Sequence, residues 1–331
     1  MSRTAERAPL TRIPLSRAAL PEVDLSREWW PGRVLTSGGV RLHVRETPGP
    51  EGGTTGAATA FYIHGLGGSA TNWTDLAALL GSRFPGIAID LPGFGLTEPG
   101  PDHDYDITSV VPMIIKFLAG LELGPVHLFG NSLGGAIALR IAALRPDLVR
   151  TLTLVSPAMP DLRPDPRRVS DPRYLLMNMP LIGPRMRRQV GVITARMRTE
   201  RLAKLVMAST EEIPEGRWAL AEQEYHVRAG QHWANDALDR TAYGLIRSWL
   251  APPHRSVWRT VLPKVDKPAL VVWGTEDRLV SVRKAPRTAR LLPRGRLLVL
   301  PRTGHVAQME RPRTVAKAFL GMLEAVDAHE W

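Results

Sequence analysis

The stretch Val126-His127-Leu128-Phe129-Gly130-Asn131-Ser132-Leu133-Gly134-Gly135, followed by the run from Ala136 to Leu144, decides how this chain is read. Its first four residues make an apolar run of strand length, and Ala136 to Leu144 reads as a helix. Between them lies Gly-x-Ser-x-Gly. A chain that passes from strand to helix over so few residues must form a tight, strained turn. Glycine flanks the serine because any side chain there would strike neighbouring backbone. The Ser132 hydroxyl then projects from the carboxyl edge of the sheet, and the helix that begins at Leu133 brings free N–H groups and the positive end of its dipole beneath it. Five residues alone are a weak signal. The strand-turn-helix setting makes this one strong.

Outward from that turn, apolar runs of strand length alternate with helical patterns: Ala60 to Ile63, Ile87 to Ile89, Leu152 to Val155, Ala269 to Trp273 and Arg296 to Leu300. Near-continuous apolar strands separated by helices predict an α/β fold, a mostly parallel sheet covered on both faces. Upstream, the alternation from Arg33 to Glu46, broken by Gly38-Gly39, predicts an antiparallel hairpin, which brings the sheet to about eight strands. Residues 1–30 mix Arg, Pro and Ala without period and read as an N-terminal arm ending in the anchor Trp29-Trp30. The Pro/Gly/Thr-rich stretch 48–58 reads as a surface loop. The alternation fails over 158–250, which holds six of the ten methionines and reads as a helical insertion over the end of the sheet. Within it Met186, Val190, Ile193 and Met197 fall on one face of a helix. The expected organisation is therefore an arm (1–30), a core in two pieces (31–157 and 251–331) and an inserted helical cap (158–250).

The chain has no cysteine, which removes disulfides, zinc thiolates and a thiol nucleophile together. A serine hydroxyl is a poor nucleophile unless a base within hydrogen-bond reach takes its proton, and that base needs a carboxylate to orient it. Two later segments supply the types. Gly274-Thr275-Glu276-Asp277-Arg278-Leu279-Val280 follows the strand ending at Trp273, and Gly304-His305-Val306 follows the strand ending at Leu300. Parallel strands end on one side, so His305 and either Glu276 or Asp277 emerge at the same sheet edge as Ser132. His64 reads as a loop-shaping residue, and His127, in mid-strand, as a core side chain.

From about Arg33 to the C-terminal helix the chain resembles the α/β-hydrolase family. Gly130 to Gly135 looks like its nucleophile turn, His64-Gly65-Leu66-Gly67-Gly68 like its oxyanion loop, and Asp90-Leu91-Pro92-Gly93-Phe94-Gly95 like the turn after the next strand. The resemblance implies the order serine, acid, histidine. It favours Asp277 over Glu276, because Gly-x-x-Asp followed by Leu279-Val280 fits the family spacing, and it leaves Asp161, after the strand before the insertion, as a lesser nominee. It further implies that the amides of Leu66 and Leu133 receive the oxyanion, and that the chain is a serine hydrolase cleaving a carboxylic ester with an apolar acyl or aromatic part. Thr97 stands where the pattern often has Ser. A second branch, the carbon–carbon hydrolases of meta-ring-fission products, is similar in Gly-Asn-Ser-Leu-Gly-Gly-Ala and in the tail from His305 to Glu310. That branch usually carries Trp after the histidine, where this chain has Val306. Serine at position 132 argues against dehalogenases and epoxide hydrolases, whose relatives use Asp there. A binding-only hydrolase fold predicts a broken triad, and all three members are present.

Other chemistries find less support. Gly65-x-Gly67-x-x-Ala70 with Asp90 fits a dinucleotide fingerprint but gives no account of Ser132, Asp277 and His305. Asp102-His103-Asp104-Tyr105-Asp106 resembles the start of a calcium loop, yet lacks Gly at the sixth position and Glu at the twelfth, so Asp106 reads as a helix cap. Neither metal nor organic cofactor is expected. The formal charge of +11 is spread along the chain as scattered arginines, which does not point to specific nucleic-acid binding. The basic, Met-bearing segment from Arg185 to Lys204 is compatible with peripheral contact with an anionic membrane, with a cap helix as the plainer reading. No stretch reaches the ~18 apolar residues of a membrane span and the N-terminus lacks the apolar segment of a signal peptide, so a cytoplasmic location is expected.

Overall fold

In a computed structural model, which describes residues 11–50, 58–162 and 194–331, the expected sheet is present with eight strands. The strands are β1 (Gly32–Ser37), β2 (Val40–Thr47), β3 (Ala60–Ile63), β4 (Gly86–Ile89), β5 (Val126–Asn131), β6 (Val149–Val155), β7 (Ala269–Gly274) and β8 (Gly295–Leu300). Their spatial order is β1-β2-β4-β3-β5-β6-β7-β8. Only β2 runs against its neighbours: it pairs antiparallel with β1 and β4, and all later pairings are parallel. The β1–β2 turn is made by Gly38 and Gly39, at φ +55° and +75°, the positive values that a two-residue hairpin turn requires.

The period of two along each strand sorts side chains into two cores. Phe61, Ile63, Leu128, Leu154 and Val271 face one layer, while Ala60, Tyr62, Phe129, Val155, Leu270 and Val272 face the other. The first layer is covered by α2 (Ile107–Gly120), α3 (Leu133–Leu144) and α7 (Ala285–Leu291), and the second by α1 (Thr74–Gly81) and α8 (Pro312–Asp327). Burial at ~25 cal/mol per Å² of apolar surface on both faces of the central strands holds the sheet rigid where it must position side chains at its edge. Asp106 caps α2, its carboxylate accepting from the Thr108 amide at 2.9 Å, which accounts for the calcium-like pattern. The described part of the arm wraps the surface: the Ser16 amide donates to the Lys317 carbonyl on α8, and Trp30 Nε1 donates to the Thr74 carbonyl.

Between β6 and β7 the described chain is helical, with α4 (Ala195–Val206), α5 (Glu215–Ala229) and α6 (Ala234–Trp249). One expectation fails here. Met197 does not continue a helical face begun at residue 186, because Thr194 is extended (φ −66°, ψ 159°) and its hydroxyl accepts from the Met197 amide, so α4 starts at Ala195. Met186, Val190 and Ile193 lie outside the described residues. Of the described methionines in this region, Met159 is buried in the first core and Met197 is exposed. Among the described residues no helix is long and apolar enough to cross a membrane.

Candidate active site

A single residue, Ser132, separates β5 from α3. It sits at φ +52° and ψ −117°, a conformation costing a non-glycine residue about 1–3 kcal/mol. The surroundings hold it there. The Ser132 amide donates to the Val155 carbonyl at 3.0 Å, and its carbonyl accepts from the amides of Ala136 and Ala158 at 3.0 and 2.9 Å. The glycines are demanded by space: a β-carbon on Gly130 would lie 2.4 Å from the Gly134 carbonyl oxygen, and one on Gly134 would lie 2.2 Å from that of Ile63. The Ser132 side chain makes no capping bond to α3.

The acid and the imidazole arise from adjacent strand ends. After β7, Asp277 Oδ1 accepts from the amides of Leu279 and Val280, both at 2.9 Å, and Oδ2 faces His305 Nδ1 at 2.9 Å. Both side chains are buried. An ionised carboxylate only accepts, so Nδ1 carries the proton and Nε2 is left with its lone pair. Nε2 has no hydrogen bond to any described residue. The two loops press together: a β-carbon on Gly274 would lie 2.1 Å from the Thr303 carbonyl oxygen, and the Glu276 amide donates to that same oxygen at 2.9 Å. Glu276 itself is exposed. Asp161 is buried but committed elsewhere, accepting from the Ser281 amide at 3.2 Å and lying 3.3 Å from Lys284 Nζ.

Three residues that the sequence did not single out fix this arrangement. Asn131 Nδ2 donates to the carbonyls of Val155 (3.0 Å) and His305 (3.1 Å), which ties the residue before Ser132 to the backbone of His305. Glu310 accepts from the Gly304 amide at 2.7 Å and the Ala208 amide at 2.8 Å. Burial pushes its carboxyl up, against the pull of those two amides. Val206, the last residue of α4, accepts from the His305 amide at 2.7 Å. Asn131 lies inside the serine motif, so its type was visible, but its second partner is 174 residues away.

The loop after β3 lies against the serine turn. A β-carbon on Gly65 would sit 3.0 Å from Ser132 Cβ and 3.1 Å from Asn131 Oδ1, so the peptide carrying the Leu66 amide passes beside the hydroxyl-bearing carbon. Leu133 is the first residue of α3, and its amide has no intrahelical acceptor. His64 shapes this loop: Nδ1 pairs with the Gly65 carbonyl at 2.7 Å and Nε2 accepts from the Leu91 amide at 2.9 Å, so neither ring nitrogen is free for proton transfer. Burial lowers its pKa. Burial, the largest single effect on Asp90, pushes that carboxyl up, but His43, nearby His64 and the amides of Ala70 and Leu96 together hold it below the ordinary range. With both oxygens so engaged, Asp90 is not presented to a ribose. His127 pairs with the Thr151 hydroxyl at 2.9 Å inside the core. An apolar depression beside Leu133 is lined in part by Leu91, Pro92, Phe94, Tyr105 and Ile137. Among the described residues no group of three or more His, Asp or Glu is arranged to hold a metal ion.

Comparison with known proteins agrees with this architecture. The chain is 27% identical over 272 residues to a 2-hydroxy-6-oxo-6-(2'-aminophenyl)hexa-2,4-dienoic acid hydrolase of Metapseudomonas resinovorans, covering 79% of this chain and 82% of that protein. It is 25% identical over 283 residues to a monoacylglycerol lipase of Rattus norvegicus, covering 80% and 74%. The fold is similar to that of the 2-hydroxy-6-oxo-6-phenylhexa-2,4-dienoate hydrolase of Rhodococcus sp. strain RHA1, with a TM-score of 0.68 at 20% identity over 89% of this chain and 100% of that one. A family model described as alpha/beta hydrolase fold matches residues 61–312. With that match spanning most of the sequence, and a mostly parallel sheet of eight strands beneath it, the chain belongs to the alpha/beta hydrolase fold family.

Proposed function

We propose that this protein is a serine hydrolase that cleaves a carboxylic ester through an acyl-enzyme on Ser132. The observation that carries the reading is the buried Asp277–His305 pair, whose outer nitrogen is unbonded within the described structure and whose backbone is tied by Asn131 to the strained serine turn. Ser132 Oγ attacks the ester carbonyl while His305 Nε2 takes its proton, and Asp277 steadies the imidazolium that forms. The carbonyl oxygen, now negative, is received by the amides of Leu66 and Leu133, each such donor being worth ~10²- to 10³-fold in rate. His305 returns the proton to the departing alcohol as the carbon–oxygen bond breaks. Water, deprotonated by the same nitrogen, then releases the acid and restores Ser132. Residues 158–250 act in this reading as a cap that shapes the entrance.

A fluorophosphonate probe should label the protein at Ser132, and Ser132→Ala should abolish both labelling and the burst of product from a chromogenic ester. Wild-type turnover by Ser132→Ala refutes the assignment. The likeness to a dienoic acid hydrolase favours one second reading, carbon–carbon bond hydrolysis. Assaying a vinylogous diketone acid beside esters of several chain lengths separates the two. Faster cleavage of the diketone acid transfers the serine mechanism to that bond.

A further inference from the structure

Two side chains one turn apart on α5 reach from the inserted helices to the loop that follows β3. Arg228 Nη1 donates to the Gly67 carbonyl at 2.7 Å, and the guanidinium lies 5.6 Å from the centroid of the Phe94 ring. Glu224 Oε2 accepts from the Thr71 hydroxyl at 2.9 Å. Residues four apart share a helix face, so both grips come from one side of α5. Just beyond the helix, Gln231 Nε2 donates to the Gly95 carbonyl at 2.8 Å. Burial pushes the Glu224 carboxyl up, with the Ser69 and Thr71 hydroxyls pulling the other way.

The loop needs such a hold. Gly65, Gly67 and Gly68 give it little side chain to pack and ready access to many backbone angles, with Gly67 at φ +75°. On the core side it is fixed through the Gly65 carbonyl, by the Gly68 amide (3.0 Å) and His64 Nδ1 (2.7 Å). On the far side, the Gly67 carbonyl is held by Arg228 in a part-buried, charge-assisted bond. The Leu66 amide shares its peptide plane with the Gly65 carbonyl, and the Gly68 amide that holds that carbonyl shares its plane with the Gly67 carbonyl gripped by Arg228. If the Gly67 carbonyl were released, the Gly67–Gly68 peptide could rotate and withdraw its N–H from the Gly65 carbonyl, leaving the Gly65–Leu66 peptide held by His64 alone, and an oxyanion donor out of line by ~1 Å forfeits much of its effect.

We propose that Arg228 is a positioning residue for the oxyanion hole, so that acyl transfer proceeds at full rate only while α5 is seated on the core. The proposal rests on reading Leu66 as an oxyanion donor. A guanidinium that merely packs the insertion onto the core would change stability and leave the chemistry alone, and this separates the two accounts.

The experiment compares wild type, Arg228→Met and Arg228→Lys. For Arg228→Met, kcat/KM on a chromogenic ester should fall about 10- to 100-fold. The Ki of an alkyl boronic acid, which places a negative oxygen in the hole, should rise by the same factor, while competitive inhibition by the product alcohol stays within twofold. Arg228→Lys, which keeps a cationic donor without the fork, should recover part of the loss. Hydrogen exchange at the amides of Leu66, Gly67 and Gly68 should quicken in Arg228→Met. A folded Arg228→Met with kcat/KM and boronate Ki within twofold of wild type overturns the proposal, as does equal weakening of boronate and alcohol. If Arg228→Met does not fold, the same comparisons are made on Arg228→Lys, where a boronate Ki within twofold of wild type overturns it. If the wild type hydrolyses no ester, exchange decides: faster exchange at 66–68 upholds the fastening while the hydrolase reading falls, and unchanged exchange ends the proposal.

Discussion

Replacing Asp277 by Asn should leave the fold intact and nearly abolish turnover, for a reason set by two backbone amides. Oδ1 of Asp277 accepts from Leu279 and Val280, both at 2.9 Å, and only an oxygen can occupy that place. The carboxamide introduced by Asp277→Asn must therefore put its carbonyl there and turn its NH₂ toward His305. The opposite orientation would set NH₂ against two N–H donors and leave both without an acceptor, at ~1–3 kcal/mol each. An NH₂ facing Nδ1 at the 2.9 Å now spanned by the carboxylate makes Nδ1 the acceptor and puts the proton on Nε2. That tautomer cannot take a proton from Ser132. Where a serine triad has been put in the wrong tautomer in this way, kcat falls ~10⁴-fold, and tenfold per 1.36 kcal/mol makes that about 5 kcal/mol of lost transition-state stabilisation. The assay is steady-state ester turnover at pH 8 with fluorophosphonate labelling rates alongside, and urea unfolding to show that the variant is folded. Asp161→Asn is the control and should change kcat by no more than a few-fold, since Asp161 faces Ser281 and Lys284. More than a tenth of wild-type kcat in folded Asp277→Asn, or a large loss in Asp161→Asn, refutes the reasoning.

Gly134→Ala should destabilise by about 3 kcal/mol, at the upper end of overpacking costs, because its methyl would meet the Ile63 and His64 carbonyl oxygens at 2.2 and 2.5 Å and backbone cannot step aside. Gly100→Ala, with nothing within 4 Å, should stay within ~0.5 kcal/mol, and urea midpoints that fail to separate the two contradict the packing argument. His127 is held to a pKa of about 4 by burial, with Arg150 adding to the effect, against 6.5 in an unfolded chain. The unfolded state therefore binds the proton more readily, and the stability that His127 contributes is intact above pH 6.5 and drains as pH falls toward 4, by at most on the order of 3 kcal/mol. His127→Gln should remove that part of the acid slope, and an unchanged slope between pH 6.5 and 4 disproves it.

The sheet was legible because its strands alternate between two dry layers. Ala60 and Tyr62 face one core, Phe61 and Ile63 the other, and such continuous apolar runs occur where both faces are covered. The hairpin was legible from Gly38-Gly39, and the serine turn from glycines whose absent side chains are needed by neighbouring carbonyls. Sequence spacing alone left Glu276 and Asp277 open. Burial separates them, since Asp277 is enclosed and Glu276 faces solvent. The inserted helices were less legible. The apolar stripe of Met186, Val190, Ile193 and Met197 matched helical spacing, but Thr194 caps a helix that starts at Ala195, and a capping hydroxyl can end a pattern that periodicity would extend. Asn131, Glu310 and Arg228 escaped notice for a common reason: each acts on a backbone group of a distant loop, and no residue type advertises a carbonyl or amide as its partner.

The grip of α4 on His305 bears on how the segment between β6 and β7 could be exchanged between relatives. The His305 amide donates to Val206, and Glu310 joins Gly304 to Ala208, so the stretch Val206–Ala208 belongs mechanically to the His305 loop although it lies between β6 and β7. A chimaera that grafts a foreign segment across these three residues would replace a strut of the His305 loop, and with it the support of the proposed base. Grafts cut after Ala208 would leave that strut in place.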